Sequence, residues 1–134
     1  MTSSRNKDQD FALKIIYSFL LNTEANEPIH FEDTLSGVTE LPFEKIDSYL
    51  KLVTLKALKY KSEIINLISP NLRNWTFERL PLMTQAILLL AVTHYVYLKD
   101  EDKAVVIDIA IKQAKAYLDR GEHRFVNAIL DKVL

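Results

Sequence analysis

The segment HRFVN, residues 123–127, places a histidine, an arginine, a phenyl ring and an amide within about two turns of a helix. A guanidinium group binds phosphate, an amide hydrogen-bonds to base edges, and an aromatic ring stacks on an unpaired base. Phe125 lies about a quarter turn from the apolar stripe of this helix, so its ring can instead pack against a neighbouring helix. That stripe consists of Val126, Ile129, Leu130 and Val133. Both interpretations of Phe125 stay open at this point.

A second polar and aromatic face is predicted near the N-terminus. Apolar residues between positions 7 and 21 recur at spacings of three and four, which indicates an amphipathic helix. The outer face carries Lys7, Lys14 and Tyr17, with Arg5 just upstream. Cations and a ring on one face can contact phosphates and stack on a base. Asp10 lies on the same face and cancels part of the charge, so an ordinary solvated helix face is the alternative.

The composition excludes several classes of function. The chain has 134 residues, a net charge of −1 and no cysteine, so it forms no disulfide or thiolate metal site and has no global basic field. HExxH, glycine-rich phosphate-loop and nucleophile-elbow motifs are absent, and the acidic run 100–102 lacks the glycine and glutamate of a calcium loop. We therefore expect no catalytic residues, metal or cofactor. The polar N-terminus lacks a secretory signal, which favours the cytoplasm.

Helical spacing of the apolar residues and only two glycines predict an all-α fold. The stretch Leu80–Leu98 has no charged residue and is long enough to span a membrane, but its polar residues and amphipathic flanks favour the central helix of a bundle. Boundaries are predicted at Gly37, Pro42, Pro70, Pro81 and Gly121. In the helix before Gly121, the residues expected to face the core are Ala104, Ile107, Ile111, Ala114 and Leu118.

Four segments together resemble the NusB family of bacterial antitermination factors, over nearly the whole chain. They are ALKIIY (12–17), NLRNWTFERLPLMTQAIL (71–88), VVIDIAIKQAK (105–115) and HRFVNAILDKV (123–133). The last segment is the most specific, because it is close to the family's HKFVNGVLDK and its spacing to Lys115 agrees without a gap. The resemblance implies two small helical bundles packed together, at about residues 1–73 and 74–134.

The resemblance also implies a noncatalytic function within a transcription complex. Family members bind a single-stranded boxA element of ribosomal RNA leaders together with NusE, a protein of the small ribosomal subunit. The RNA-binding surface then corresponds to Arg5, Lys7, Lys14, Tyr17, Arg124, Phe125 and Asn127. The helix containing Thr84 and Gln85 corresponds to part of the NusE contact. We expect the outer turns of the first and last helices to converge into one surface.

The chain departs from the family pattern where charge matters most. The arginine-rich arm is reduced to Arg5 and Lys7, and Leu89 stands where an arginine is usual. Because affinity for nucleic acid rises with the number of phosphates neutralised, we expect weak RNA binding by this chain alone. The alternative is a helical protein-interaction or self-association module, including a homodimer, that keeps the fold without RNA recognition.

Overall fold

The computed structural model describes residues 3–134, with side chains from residue 6 onward. The predicted all-α fold is confirmed: the described residues form α-helices joined by short 3₁₀ turns and one π-helical turn, without a strand. The α-helices are α1 (Ser3–Glu24), α2 (Phe31–Thr39), α3 (Ser48–Lys59), α4 (Lys61–Ile68), α5 (Leu82–Val92), α6 (Lys103–Tyr117) and α7 (Glu122–Val133).

Helix α5 lies at the centre of the fold. Every residue from Thr84 to Val92 is buried, because this stretch is apolar almost all round and needs a partner on each side. It packs most extensively on α1 and α6, and also on α3, α4 and α7. The buried apolar side chains of both halves of the chain form one cluster. The division into bundles at about residue 73 remains a prediction.

The uncharged stretch Leu80–Leu98 is not one continuous α-helix. Helix α5 ends at Val92, a π-helical turn covers Thr93–Leu98, and Lys99 ends it with a φ of 56°. Within the described residues, no helix combines the length and the apolarity that a membrane crossing requires. Residues 84–92 are buried among five neighbouring helices, as the bundle interpretation predicted.

Two of the predicted glycine boundaries are wrong. Gly37 lies inside α2, which continues to Thr39 and ends at Glu40 in the left-handed conformation with a φ of 61°. Helix α6 ends at Tyr117, four residues before Gly121. Gly121 has a φ of 91° and immediately precedes α7, so its conformational freedom is used to start a helix rather than to end one.

The start of α3 also differs from the expected one. Pro42 precedes a short 3₁₀ turn, Phe43–Lys45, and the α-helix begins only at Ser48. Asp47 caps it, because its carboxylate accepts a hydrogen bond from the backbone N–H of Tyr49 at 2.7 Å. A carboxylate at the N-cap satisfies an amide that the helix leaves unpaired, and this stabilises the start of the helix by about 1 kcal/mol.

The predicted inward face of α6 is correct at Ala114 and wrong at the other positions. The buried residues are Val106, Ala110 and Ala114, whereas Ala104 is exposed and Ile107, Ile111 and Leu118 are half-buried. Apolar residues occur on several sides of this helix, so two different stripes fit the sequence. The packing of α5 and α7 against α6 selects the stripe through Ala110.

A buried histidine in the π-helical turn contacts both α3 and the residues that follow the turn. His94 is 2% exposed, its Nε2 lies 2.5 Å from the hydroxyl oxygen of Tyr49, and its Nδ1 lies 3.2 Å from Oδ1 of Asp100. A carboxylate only accepts, so Nδ1 donates to Asp100, while Nε2 is within hydrogen-bond distance of the Tyr49 hydroxyl. This arrangement satisfies both ring nitrogens, as a buried imidazole requires.

Replacing His94 with alanine should lower the free energy of unfolding by about 2–4 kcal/mol, since it leaves a cavity and removes one hydrogen bond to the Tyr49 hydroxyl and one to Asp100. Urea unfolding followed by circular dichroism measures this change. His30→Ala is the matched control, because the His30 side chain is exposed and makes no capping hydrogen bond. Equal stability of the two variants would contradict the structural role of His94.

Candidate nucleic-acid interface

The outer face of α1 carries the predicted cations. Lys7 and Lys14 are exposed, and the Nζ atom of Lys7 lies 5.7 Å from the ring centroid of Phe11. Tyr17 is half-buried and packs against the core, so only part of its ring is available. Arg5 belongs to α1, but its side chain lies outside the described residues. The solvent-exposed cations described on this face are thus two lysines.

Lys14 is part of a three-residue cluster that links α1 to α6. Its Nζ atom lies 2.9 Å from Oδ2 of Asp10, one helical turn earlier. The hydroxyl of Tyr117, near the end of α6, donates a short hydrogen bond to Oδ1 of the same carboxylate. All three side chains are partly exposed, Tyr117 to 41%. Lys14, which the sequence analysis assigned to phosphate binding, therefore already forms an ion pair with Asp10.

The cluster changes the titration of two of its members. The hydrogen bond to Asp10 raises the pKa of Lys14, and the hydrogen bond to Asp10, together with burial, raises the pKa of the Tyr117 hydroxyl. Both shifts favour the protonated forms in the folded state. Their contribution to stability is therefore complete below the ordinary pKa values of lysine and tyrosine and is lost as the pH rises above them.

A shallow cleft lies beside this cluster, where α1 and α6 run next to each other. The side-chain amide of Gln113 donates a hydrogen bond of 3.3 Å to the backbone carbonyl of Gln9 and joins the two helices. The cleft has a volume of about 220 Å³, and its lining includes Asn6, Asp10 and Tyr117. Amide, carboxylate and phenol groups at one opening can hydrogen-bond to polar ligand edges.

Helix α7 presents the HRFVN residues in two different environments. Arg124 and Asn127 are exposed, whereas Phe125 is half-buried and packs against the core. Phe125 thus combines packing on one side with partial access on the other. Because α7 begins five residues after Tyr117, the end of α6 that contacts α1 leads directly into this motif. Convergence of Lys14 and Phe125 on one surface remains a prediction.

The two residues assigned to partner contact lie in the interior. Thr84 and Gln85 are 2% and 5% exposed. The Gln85 side-chain amide donates to the carbonyl of Leu80 at 2.8 Å, and the Thr84 hydroxyl has no hydrogen-bond partner in the described part of the chain. Direct contact by these side chains is therefore not supported, because α5 is covered on nearly every side. Gln85 does line a cleft of about 200 Å³ between α1, α4 and the start of α5.

Sequence reasoning did not identify Tyr117 as a site residue. It lies 107 positions from Asp10 in the chain, and no local motif connects the two residues. The one indication in the sequence was that Tyr117 lies between two of the family-like segments, VVIDIAIKQAK and HRFVNAILDKV. Among the described residues there is also no group of three or more histidine, aspartate or glutamate side chains arranged to hold a metal ion.

The fold and this surface define an all-helical domain with separate polar and aromatic patches on its outer helices. The NusB family model matches residues 6–134, and the chain therefore belongs to the NusB family. This agrees with the four sequence segments that suggested the resemblance.

Individual relatives support the assignment. The transcription antitermination protein NusB of Treponema denticola is 39% identical over 83 residues, which cover 62% of this chain and only 61% of that protein. The same-named protein of Oceanobacillus iheyensis is 26% identical over 131 residues, 98% of each chain. The similarity to the second protein thus extends over almost the whole length of both.

Solved structures have the same fold. T. maritima NusB superposes with a TM-score of 0.84 at 26% identity, covering 99% of this chain and 92% of that one. A chain from a crystal structure of antitermination factors NusB and NusE in complex with dsRNA gives a TM-score of 0.82. It is 22% identical and covers 99% of this chain and 97% of its own, so it demonstrates the shared fold alone.

Replacing Asp10 with asparagine should lower the pKa of Tyr117 towards its ordinary value, because a neutral amide holds the phenol proton less strongly than a carboxylate does. Carbon-13 NMR of labelled tyrosine rings measures the titration, and Tyr117→Phe assigns the signal. Asp108→Asn is the matched control, since it removes a comparable 3.2 Å pair with Lys112 elsewhere on α6. An unchanged Tyr117 titration in the Asp10 variant would contradict the cluster.

Proposed function

We propose that this chain is a noncatalytic, RNA-binding transcription antitermination factor that recognises single-stranded boxA-type RNA together with NusE. The observation that carries the proposal is the contact of Tyr117 with Asp10, which joins the α1 face bearing Lys14 to the end of α6 that leads into HRFVN. Lys14, Tyr17, Arg124, Phe125 and Asn127 then contribute charge, partial ring faces and an amide to one surface. Family membership supports the same assignment.

The proposed affinity for RNA is low in the absence of a partner. Lys14 is paired with Asp10, and Lys7 and Arg124 are the other exposed cations described at the proposed site. Each phosphate contact with single-stranded nucleic acid contributes a salt dependence of about −0.7 in log K against log salt. Two or three such contacts give a shallow slope and weak binding. NusE supplies the additional contacts in this proposal, and the complex works in the cytoplasm.

The NusE contact is proposed to use the rim of the cleft that Gln85 lines, rather than the buried side chains of Thr84 and Gln85. The rim includes exposed or half-buried residues of three helices, among them Glu24, Lys61 and Leu82. Side chains of both charges beside apolar groups are typical of a protein–protein interface rim. Gln85 has a positioning role here, because it ties α5 to the backbone before it.

Labelled boxA-type RNA should bind this protein weakly alone and at least about tenfold more tightly with NusE, with affinity falling as salt rises. Fluorescence anisotropy at several salt concentrations measures both effects. A same-length RNA with a scrambled boxA sequence is the control for sequence recognition. Absence of salt-sensitive binding with and without NusE would overturn the function and favour the protein-interaction alternative, for which light scattering tests self-association into a homodimer.

Replacing Phe125 with alanine should weaken RNA binding by about 1–3 kcal/mol if its accessible face stacks on a base. Because the ring is also half-buried, the melting temperature is measured in parallel with the affinity. Phe43→Ala is the matched control, as Phe43 is another half-buried ring, located before α3. A lower melting temperature with unchanged affinity would assign Phe125 to packing alone.

A further inference from the structure

Helix α3 and the residues next to it contain a strong local concentration of positive charge, with three of the lysines on the helix itself. Residues 45–61 contain five lysines and one aspartate, a net charge of +4, whereas the other residues together carry −5. Within the described part of the chain, none of these lysines is within 4.0 Å of a carboxylate oxygen. These lysines therefore form no ion pair in the described structure, and they lie outside the residues assigned to RNA recognition.

The side of α3 that faces away from the core also exposes two large apolar residues. Leu52 is 46% exposed and Leu55 is 48% exposed. At 100° per residue they lie within about 60° of each other, with Lys59 between them in projection and Lys51 at the edge. The buried residues Leu50, Val53 and Ala57 occupy the opposite side. We call Lys51, Leu52, Leu55 and Lys59 the α3 outer face.

The two lysines of this face are held near aromatic rings rather than near acids. The Nζ atom of Lys51 lies 4.4 Å from the ring centroid of Phe43, and that of Lys59 lies 5.3 Å from the ring centroid of Tyr60. Cation–π contacts position an ammonium group without cancelling its charge. Lys56, at the other flank, donates a 3.1 Å hydrogen bond to the carbonyl of Tyr97 and helps to fix α3 against the π-helical turn.

We propose that the α3 outer face is a docking surface for an acidic, amphipathic helical segment of a partner protein. Leu52 and Leu55 would contact the apolar side of that segment, and Lys51 and Lys59 would pair with its carboxylates. An amphipathic helix with leucines at spacings of three and four and glutamates beside them matches both features. This surface is independent of the proposed RNA function.

Other occupants fit the face less well. Single-stranded RNA stacks on accessible rings, but both rings beside this face already have aromatic partners. Tyr60 is stacked on Tyr97 with centroids 4.2 Å apart, and Phe43 is half-buried and makes an edge contact with Phe31 at 6.2 Å. A membrane requires a larger apolar area than two leucines on a 12-residue helix provide. In a symmetric dimer through this face, the same lysines would oppose one another.

The test is an NMR titration of the nitrogen-15-labelled full chain with a synthetic helix of about 18 residues, five turns long, bearing leucines and glutamates in this pattern. Saturable shifts confined to α3 amides, and weakened by added salt, would support the proposal. Peptides with lysine in place of glutamate, or alanine in place of leucine, should bind at least about tenfold more weakly.

Variants of the protein locate the contact. The double variants Leu52→Ser with Leu55→Ser, and Lys51→Glu with Lys59→Glu, should each reduce affinity for the acidic peptide at least about tenfold. Leu67→Ser is the matched control and should bind normally, because Leu67 is equally exposed, at 44%, but lies on α4. Circular dichroism confirms that the substituted chains remain helical.

Three results would overturn the proposal. One is the absence of saturable α3 shifts with the acidic peptide. Another is a stronger response of the same amides to single-stranded oligouridine or to phosphatidylglycerol vesicles, which would assign the face to RNA or to a membrane. The third is concentration-dependent broadening of α3 signals without peptide, which would assign it to a second copy of this chain. None of these results changes the boxA titration.

Discussion

The fold depends on burying α5, in which every residue from Thr84 to Val92 is shielded from solvent. Such a helix is stable in water only when other helices surround it, and α1, α3, α4, α6 and α7 all contribute to that cover. Most polar groups on and after it have partners inside the protein, and the Thr84 hydroxyl is an exception among the described residues. Thr93 donates to the carbonyl of Leu89 at 2.7 Å, and His94 uses Tyr49 and Asp100. Recognition is consequently left to the outer faces of the surrounding helices.

The buried face of a helix could be predicted from the sequence where its apolar residues form a single stripe. In α1 the stripe through Ile15, Ile16 and Phe19 is the buried one, and in α7 Val126 and Ile129 are buried as expected. In α6 the pattern failed because apolar residues occur on several sides, and only the neighbouring helices decide between them. The predicted start of α3 at Pro42 was wrong, because the side chain of Asp47 caps the helix by accepting a hydrogen bond from the backbone N–H of Tyr49.

The candidate site was predictable only as residue types on separate helices. Exposure of Lys7, Lys14, Arg124 and Asn127 follows from their places opposite the apolar stripes. The role of Tyr117 could not be predicted from the sequence, since its contact with Asp10 depends on how α6 packs beside α1. The burial of α5 likewise removes Thr84 and Gln85 from the surface, which a family motif cannot reveal because a motif does not distinguish packing from contact.

The distribution of charge underlies the proposal that the RNA surface works together with a partner. Asp10 already pairs with Lys14, so a phosphate approaching that lysine competes with a carboxylate that Tyr117 also holds in place. The largest group of lysines without an ion pair in the described residues lies instead on and beside α3, where two exposed leucines accompany them. The largest concentration of lysines and the rings assigned to RNA stacking therefore lie on different helices. Because the α3 lysines do not add to the proposed RNA surface, we propose that this surface gains affinity mainly through contacts that a bound partner adds.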